Sequence, residues 1–236
     1  YRRAIPPLEE DVSRHMHFHR EIDQLKQLIL KMGTIAEDRL RRACTLLKTM
    51  DEEEARRIIG ADWEIDDMEI RVAEECLKIL ALHQPVARDL RPIVSSVKIE
   101  TELQRIADIA VNIAKRIVTI RKKRPDGFST LVDYQPMATR VLAMVKTSLD
   151  ALVTEDASMA RQIFLMDDEV NRLRYQAYRT IIAEIDKGGG GGAAGLINLY
   201  LIARHLERIG DRSCNIGEEV IYLVEGEIGR TSGGNL

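Results

Sequence analysis

Apolar residues recur at helical spacing along almost the whole chain. From Ser13, a residue type that caps helices, to about Thr49, the residues Ile22, Leu25, Ile29, Met32, Ile35/Ala36, Leu40 and Leu47 step by three and four. A second helix is expected from the acidic start Asp51-Glu52-Glu53-Glu54 to about Leu82, with Ile58, Ala61, Ile65, Met68 and Val72 on its inner line. Pro85 then breaks the pattern, and a third helix runs to about Arg121. The basic run Lys122-Lys123-Arg124 with Pro125-Asp126-Gly127 is the clearest interruption. Beyond it a fourth helix is expected over about Met137 to Val153, lined by Val141, Met144/Val145, Leu149 and Leu152. A fifth follows the acidic turn Glu155-Asp156-Ala157, with Ile163, Met166, Val170, Leu173, Ile181 and Ile185 inward. A sixth covers about Ala194 to Val224. The first dozen residues, with Pro6-Pro7, and the glycine-bearing tail from Glu225 read as loose ends.

The third and sixth helices are two copies of one pattern. Leu103-Gln104-Arg105-Ile106-Ala107-Asp108 answers Leu206-Glu207-Arg208-Ile209-Gly210-Asp211, and Asn-Ile follows both at the same offset. Their apolar seams step identically: Ile99, Leu103, Ile106, Ala110, Ile113, Ile117 and Ile120 in one, Ile202, Leu206, Ile209, Ser213, Ile216, Val220 and Leu223 in the other. In the preceding helices, Asp62-x-x-Ile65-Asp66 answers Asp167-x-x-Val170-Asn171. Short connections make neighbouring helices antiparallel. The expected fold is therefore all-α: two tandem antiparallel three-helix bundles, residues 1–124 and 125–236, related by an internal pseudo-twofold repeat. Helices of about 32 residues extend ~48 Å, so an elongated body is expected. The run Gly188 to Gly192 stands where the first half has Gln84-Pro85 and makes a poor helix. No function is read from it.

Composition narrows the classes. The chain is 45% hydrophobic, 31% charged and only 4% aromatic, which suits long helices. A net charge of -3 gives no bulk attraction to nucleic acid or anionic lipid. No apolar run approaches the roughly 20 residues that cross a membrane. No signal-peptide pattern is visible, and the chain opens at Tyr1 rather than Met, so further N-terminal sequence is expected. Cys44, Cys76 and Cys214 are far apart, without CxxC spacing, and read as small buried hydrophobes in a reducing compartment. His15, His17 and His19 alternate, so only His15 and His19 share a helical face, and an exposed helix start is preferred to a metal site.

The candidate chemistry lies in the repeat. Counting 100° per residue from Ile209 puts Glu207 at ~160°, Asp211 at ~200° and Asn215 at ~240°, opposite the seam. Bundle packing does not require carboxylates there. A solvated ridge is one reading. The other is a cation held by oxygens, because two carboxylates one turn apart with a third oxygen nearby suit a hard or borderline metal. Asp62, Asp66 and Asp167 on the neighbouring helices would enlarge each cluster, and Asp108 is the first-half counterpart of Asp211. Arg88 and Arg91 open the third helix and suit either an anion or ion pairs with acidic neighbours.

With these residues together, the chain resembles the PhoU family. The resemblance rests on Gln84-Pro85-Val86-Ala87-Arg88-Asp89-Leu90-Arg91, the two Leu-Gln/Glu-Arg-Ile-Ala/Gly-Asp segments, Asn215-Ile216, the ending Ile221-Tyr222-Leu223-Val224-Glu225-Gly226 and the early Lys31-Met32-Gly33. It implies a non-enzymatic, cytoplasmic, dimeric protein that represses the phosphate-starvation response. Its implied partners are a membrane sensor histidine kinase and the phosphate ABC transporter, with no nucleic acid and no membrane insertion. Family members carry metal clusters at Glu/Asp-x-x-x-Asp. Carried over, the ligands are Glu207 and Asp211 in the second half and only Asp108 in the first, where Gln104 replaces the acid; Asp167, Asp62 and Asp66 are the neighbouring-helix acids that would join them. The metal is left open among Fe, Mn, Mg and Zn. Arg105 and Arg208, with Arg88 and Arg91, are the candidate partner-binding cations. Two rivals stand beside this reading. A metal-free helical adaptor is one. The other is a carboxylate-bridged metal enzyme, which needs Glu-x-x-His on two helices, whereas Leu80 and Ile202 precede His83 and His205.

Overall fold

The structure, a computed structural model, describes residues 8–61, 63–123, 131–187 and 193–226. Several sequence expectations lie outside the described residues: the Pro6-Pro7 arm, the His15 side chain, Asp62, the break at Arg124–Gly127 with the 124/125 boundary, Gly188 to Gly192, and the tail beyond Gly226. Among the described residues the secondary structure is helical throughout. The helices are α1 (Leu8–Thr49), α2 (Glu52–Gly60), α3 (Trp63–His83), α4 (Arg91–Lys123), α5 (Gln135–Thr154), α6 (Ala157–Asp186) and α7 (Ala193–Glu225), with a 3-10 turn at Ala87–Leu90 ahead of α4.

Three boundaries differ from the sequence reading, the first being that Arg88 stands in the 3-10 turn ahead of α4 and only Arg91 opens that helix. Ser13 does not start α1, which already runs from Leu8. The expected second helix is two, because α2 ends at Gly60 and α3 begins at Trp63. The buried Arg39 of α1 accounts for the break: its guanidinium donates to the Ala61 carbonyl. A guanidinium at that carbonyl takes the acceptor that a continuous helix would use. The acidic helix starts act as caps. Asp51 accepts from the Glu53 and Glu54 amides at 2.9 and 3.1 Å, and Asp156 accepts from Ser158 and Met159 at 2.8 and 3.0 Å.

Helix α4 packs against α1, α2 and α3; α7 packs against α5 and α6. The two bundles share one core, because α4 lies along α7 and α1 touches α5. Glu102 meets Arg212, and Arg116 meets Asn198, so α4 and α7 run antiparallel. The pseudo-twofold relation is visible in this crossing. Ser95 and Asn198 hold equivalent positions ahead of Ile106 and Ile209, and Arg116 and Glu219 hold equivalent positions after them. The contact Ser95–Glu219 near one end therefore repeats as Asn198–Arg116 near the other.

Every seam residue expected on α4 is buried, and on α7 only Leu223 is merely half-buried. A buried Ile or Leu contributes about 1.5–3 kcal/mol, so these seams are the main attractive term in the bundles. On α6 the inward line passes through Ile163, Val170, Ala177 and Ile181. Met166 and Leu173 are half-buried. Ile185, expected inward, is 38% exposed in the last turn, where Glu184 is the more covered residue. Cys44 and Cys76 are buried, and burial pushes their thiols up to about 12 and about 11. Cys214 is half-buried and pushed up to about 12 by burial and the acids around it.

Candidate functional site: a carboxylate cluster between α6 and α7

The helical-wheel reading treats the face opposite the α7 seam as open. It is not, because α6 covers it. Glu207 is only 6% exposed and is held by two arginines, Arg174 of α6 with Nε at 3.1 Å and Arg204 one turn back on α7. The Arg174 contact is an ion pair without hydrogen-bond alignment. Glu207 is thus neutralised inside the bundle rather than presented to solvent. That corrects the expectation that it is free to bind.

Asp167 and Asp211 complete the cluster. Asp211 is half-buried one turn beyond Glu207. Asp167 reaches α7 between them: a Cβ added at Gly210 would stand 2.9 Å from its Oδ1. Gly210 is the residue that lets this carboxylate lie against the α7 backbone. Asp167 Oδ2 accepts from Asn171 Nδ2 at 2.8 Å, while Oδ1 is buried without a hydrogen-bond partner among the described residues. Burial, and then the Asp211 charge, hold its pKa above the usual aspartate value; Asn171 opposes, and Asp168 and Glu207 add to the rise. The cluster is electrically short of positive charge at Asp167 and saturated with it at Glu207.

In the first half the chemistry differs. Gln104 Nε2 donates to Glu69 at 2.6 Å, and Glu69 in turn helps burial to raise the pKa of the buried Glu100. Asp66 and Asp108 are exposed. Asp62 lies outside the described residues. Among the described residues, it is the second half that brings its predicted acids together. Among the described residues, no three His, Cys, Asp or Glu side chains are placed to hold a metal ion.

Asn215, expected as a third oxygen beside Asp211, turns instead to α4. It donates to Glu102 at 3.0 Å, alongside Arg212 at 3.1 Å, and Arg105 reaches the other oxygen of Glu102 at 2.8 Å. This buried acid with its three donors ties α4 to α7. Arg105 and Arg208 are exposed on α4 and α7. Arg88 and Arg91 line a separate cavity of about 560 Å³ near the start of α4.

Three residues central to these contacts escaped the sequence reading: Glu102, Arg174 and Arg204. For Arg174 a signal existed. It follows Asn171 by the spacing at which Glu69 follows Asp66, so the repeat carries a charge reversal there.

Fold and site define a duplicated helical-bundle protein that buries a polar cluster where its repeat helices meet their neighbours. A profile of the PhoU domain matches residues 29–117 and 135–220, and the chain belongs to that family. Among curated relatives, the phosphate-specific transport system accessory protein PhoU homolog 1 of Thermotoga maritima is 32% identical over 213 residues, covering 90% of this chain and 91% of that protein. The PhoU homolog of Clostridium acetobutylicum is 33% identical over 211 residues, 89% of this chain and 95% of its own length. The crystal structure of PhoU from Pseudomonas aeruginosa superposes with a TM-score of 0.82 at 32% identity, over 89% of this chain and all of that one (100%). The phosphate transport system regulatory protein PhoU of Streptococcus pneumoniae gives 0.79 at 29% identity, over 89% and 98%. Among the described residues no helix is long and apolar enough to cross a membrane.

Proposed function

We propose that this chain is a non-enzymatic negative regulator of phosphate uptake and of phosphate-starvation signalling. The observation that carries the reading is its similarity, over about nine-tenths of its length, to accessory and regulatory proteins of phosphate transport. In this reading it works in the cytoplasm as a homodimer, between the phosphate ABC transporter and a sensor histidine kinase. The exposed Arg105 and Arg208, on repeat-equivalent positions of α4 and α7, are the cations offered to those partners.

A bound cation belongs to the same proposal. The unpartnered Oδ1 of Asp167 and its proximity to Asp211 fit an oxygen-liganded Fe, Mn, Mg or Zn ion. Glu207 fits only if Arg174 and Arg204 release it, so Asp167 and Asp211 are the primary ligands.

The test uses a host lacking the gene, with a starvation-response reporter, grown in ample phosphate. The reporter should be on, and should be silenced by the parent chain. A reporter that follows phosphate identically with and without the chain defeats the reading. Capture of purified transporter ATPase and kinase cytoplasmic region should weaken when Arg105 and Arg208 are both changed to Glu.

A further inference from the structure

The cavity near the start of α4 lies at the opposite side of the α4–α7 crossing from Asn198 and Arg116. Four helices wall it: Phe18, Ile22, Lys26 and Ile29 come from α1, Arg91, Ser95 and Ile99 from α4, Leu152 from α5, and Leu223 from α7. Its polar lining also includes His19 and Ser96, Arg88 and Asp89 of the 3-10 turn, and Glu155 and Glu225 at helix ends. It is therefore formed only when both bundles are joined.

The charges in it are unevenly committed. Glu155 is held by Lys26 at 2.8 Å, and Glu225 by Arg161 at 2.6 Å. That leaves Asp89 facing two arginines. Among the described residues neither Arg88 nor Arg91 has a carboxylate partner. Arg91 is nevertheless fixed in place: its guanidinium sits over the Tyr222 ring, 5.9 Å from the centroid, and presses on Gly226. Gly226 has φ +75°, a backbone conformation that favours glycine, and a Cβ there would fall 1.9 Å from Arg91 Nη1 and push the guanidinium aside. Lys26 also donates to the Val153 carbonyl, which leaves it one N–H in hand. Helix α4 adds the positive end of its dipole and has no acid in its first turn.

The repeat supplies an internal comparison. The positions answering Arg88 and Arg91 in the second half are Gly191 and Ala194, and α7 starts without them. The architecture does not call for this pair of arginines.

We propose that this cavity binds a phosphate group, free or carried on a small organic body, with Arg88, Arg91 and Lys26 as its donors. Paired N–H groups of arginine match phosphate oxygens, and the two arginines without a carboxylate partner exceed the one uncommitted acid, while Lys26, paired with Glu155, adds its remaining N–H. The volume, about 560 Å³, and the apolar wall of Ile22, Ile29, Leu152 and Leu223 leave room beside the phosphate for a body of nucleoside size. The site is distinct from the carboxylate cluster and does not depend on the regulatory reading.

The experiment is titration calorimetry on the purified full chain with chelator present, using AMP, adenosine and inorganic phosphate as probes. AMP is expected to bind saturably and adenosine at least about tenfold more weakly, with inorganic phosphate competing. Phosphate binding as tight as AMP makes the free ion the ligand; tighter AMP assigns an organic phosphate. Arg88→Ala, at an exposed position, and Arg91→Lys, which keeps the charge on Tyr222, should each weaken AMP, with melting curves confirming the fold. The proposal is overturned by three results: no saturable binding of AMP or phosphate at millimolar concentration, equal affinity for AMP and adenosine, or unchanged affinity in Arg88→Ala/Arg91→Lys.

Discussion

Arg174 on α6 pairs with Glu207 on α7 at 3.1 Å, and the same place in the first repeat holds Glu69 and Gln104, joined by a 2.6 Å hydrogen bond. The acid has changed helices. In the second half the repeat helix carries it and the neighbour carries the cation; in the first half the neighbour carries it and the repeat helix carries a neutral donor. Both solutions satisfy a polar group that the bundle has covered.

This inversion makes the pair exchangeable. Arg174→Glu alone sets two acids together in a buried place and should cost on the order of 3 kcal/mol. Adding Glu207→Gln rebuilds the first-half pair and should recover most of that loss. Urea denaturation of the parent, Arg174→Glu, Glu207→Gln and the double variant gives the coupling. Additive losses would show that the two positions do not meet as described.

Asp167 predicts a pH signature. Its pKa is raised in the folded chain, so as pH rises the unfolded chain loses this proton first. Folding is weakened from the ordinary value of 3.8 up to the raised one and stays weaker above it. Asp167→Asn keeps an acceptor for Asn171 and removes the charge. Its urea midpoint should exceed the parent's at pH 7, and the gain should vanish as pH falls to about 4. An equal gain at both pH values would mean that the carboxylate is not the source. A metal bound at Asp167 and Asp211 would reverse the sign at pH 7 in metal-containing buffer.

The seams, the acidic helix starts at Asp51 and Asp156 and the duplicated pattern are legible because they follow from local spacing; that these two aspartates cap their helices is not. What the spacing could not show is that α4 and α7 are covered on several sides. A helical wheel drawn from Ile209 knows one packing partner, whereas α7 has α4, α5 and α6 around it. Glu207 was therefore placed in solvent when it is buried, and Asn215 was assigned to Asp211 when it serves Glu102. The repeat gives the register of Asp167 on the helix beside α7. Its contact with Gly210 depends on how closely two helices approach, which composition does not reveal. The second helix read as continuous because Arg39, the residue that interrupts it, comes from another helix.

Gly210→Ala tests that close approach. Alanine gains up to about 1 kcal/mol in helix propensity. Its Cβ would have to displace the Asp167 carboxylate, and overpacking costs about 1–3 kcal/mol. The net effect should be destabilising in the parent. In an Asp167→Ala background the obstacle is gone and the same change should stabilise. Differential scanning calorimetry of the four proteins decides it, and a Gly210→Ala effect of the same sign in both backgrounds would refute the contact.

His205 should set the acid limit of the fold. It is 8% exposed, neither ring nitrogen has a hydrogen-bond partner among the described residues, and burial with the charges of Arg116 and Arg208 lowers its pKa to about 4. The ring is therefore neutral when folded, while the unfolded chain takes up a proton near the ordinary 6.5. Stability is complete above pH 6.5 and declines as pH falls toward 4, by at most about 3 kcal/mol. His205→Leu removes the protonation and leaves no hydrogen bond broken. Between pH 7 and pH 5 the parent should lose stability and His205→Leu should lose much less, measured by urea midpoints in matched ionic strength. Parallel losses in the two proteins would assign the acid sensitivity to other groups and would place a hydrogen-bond partner at His205.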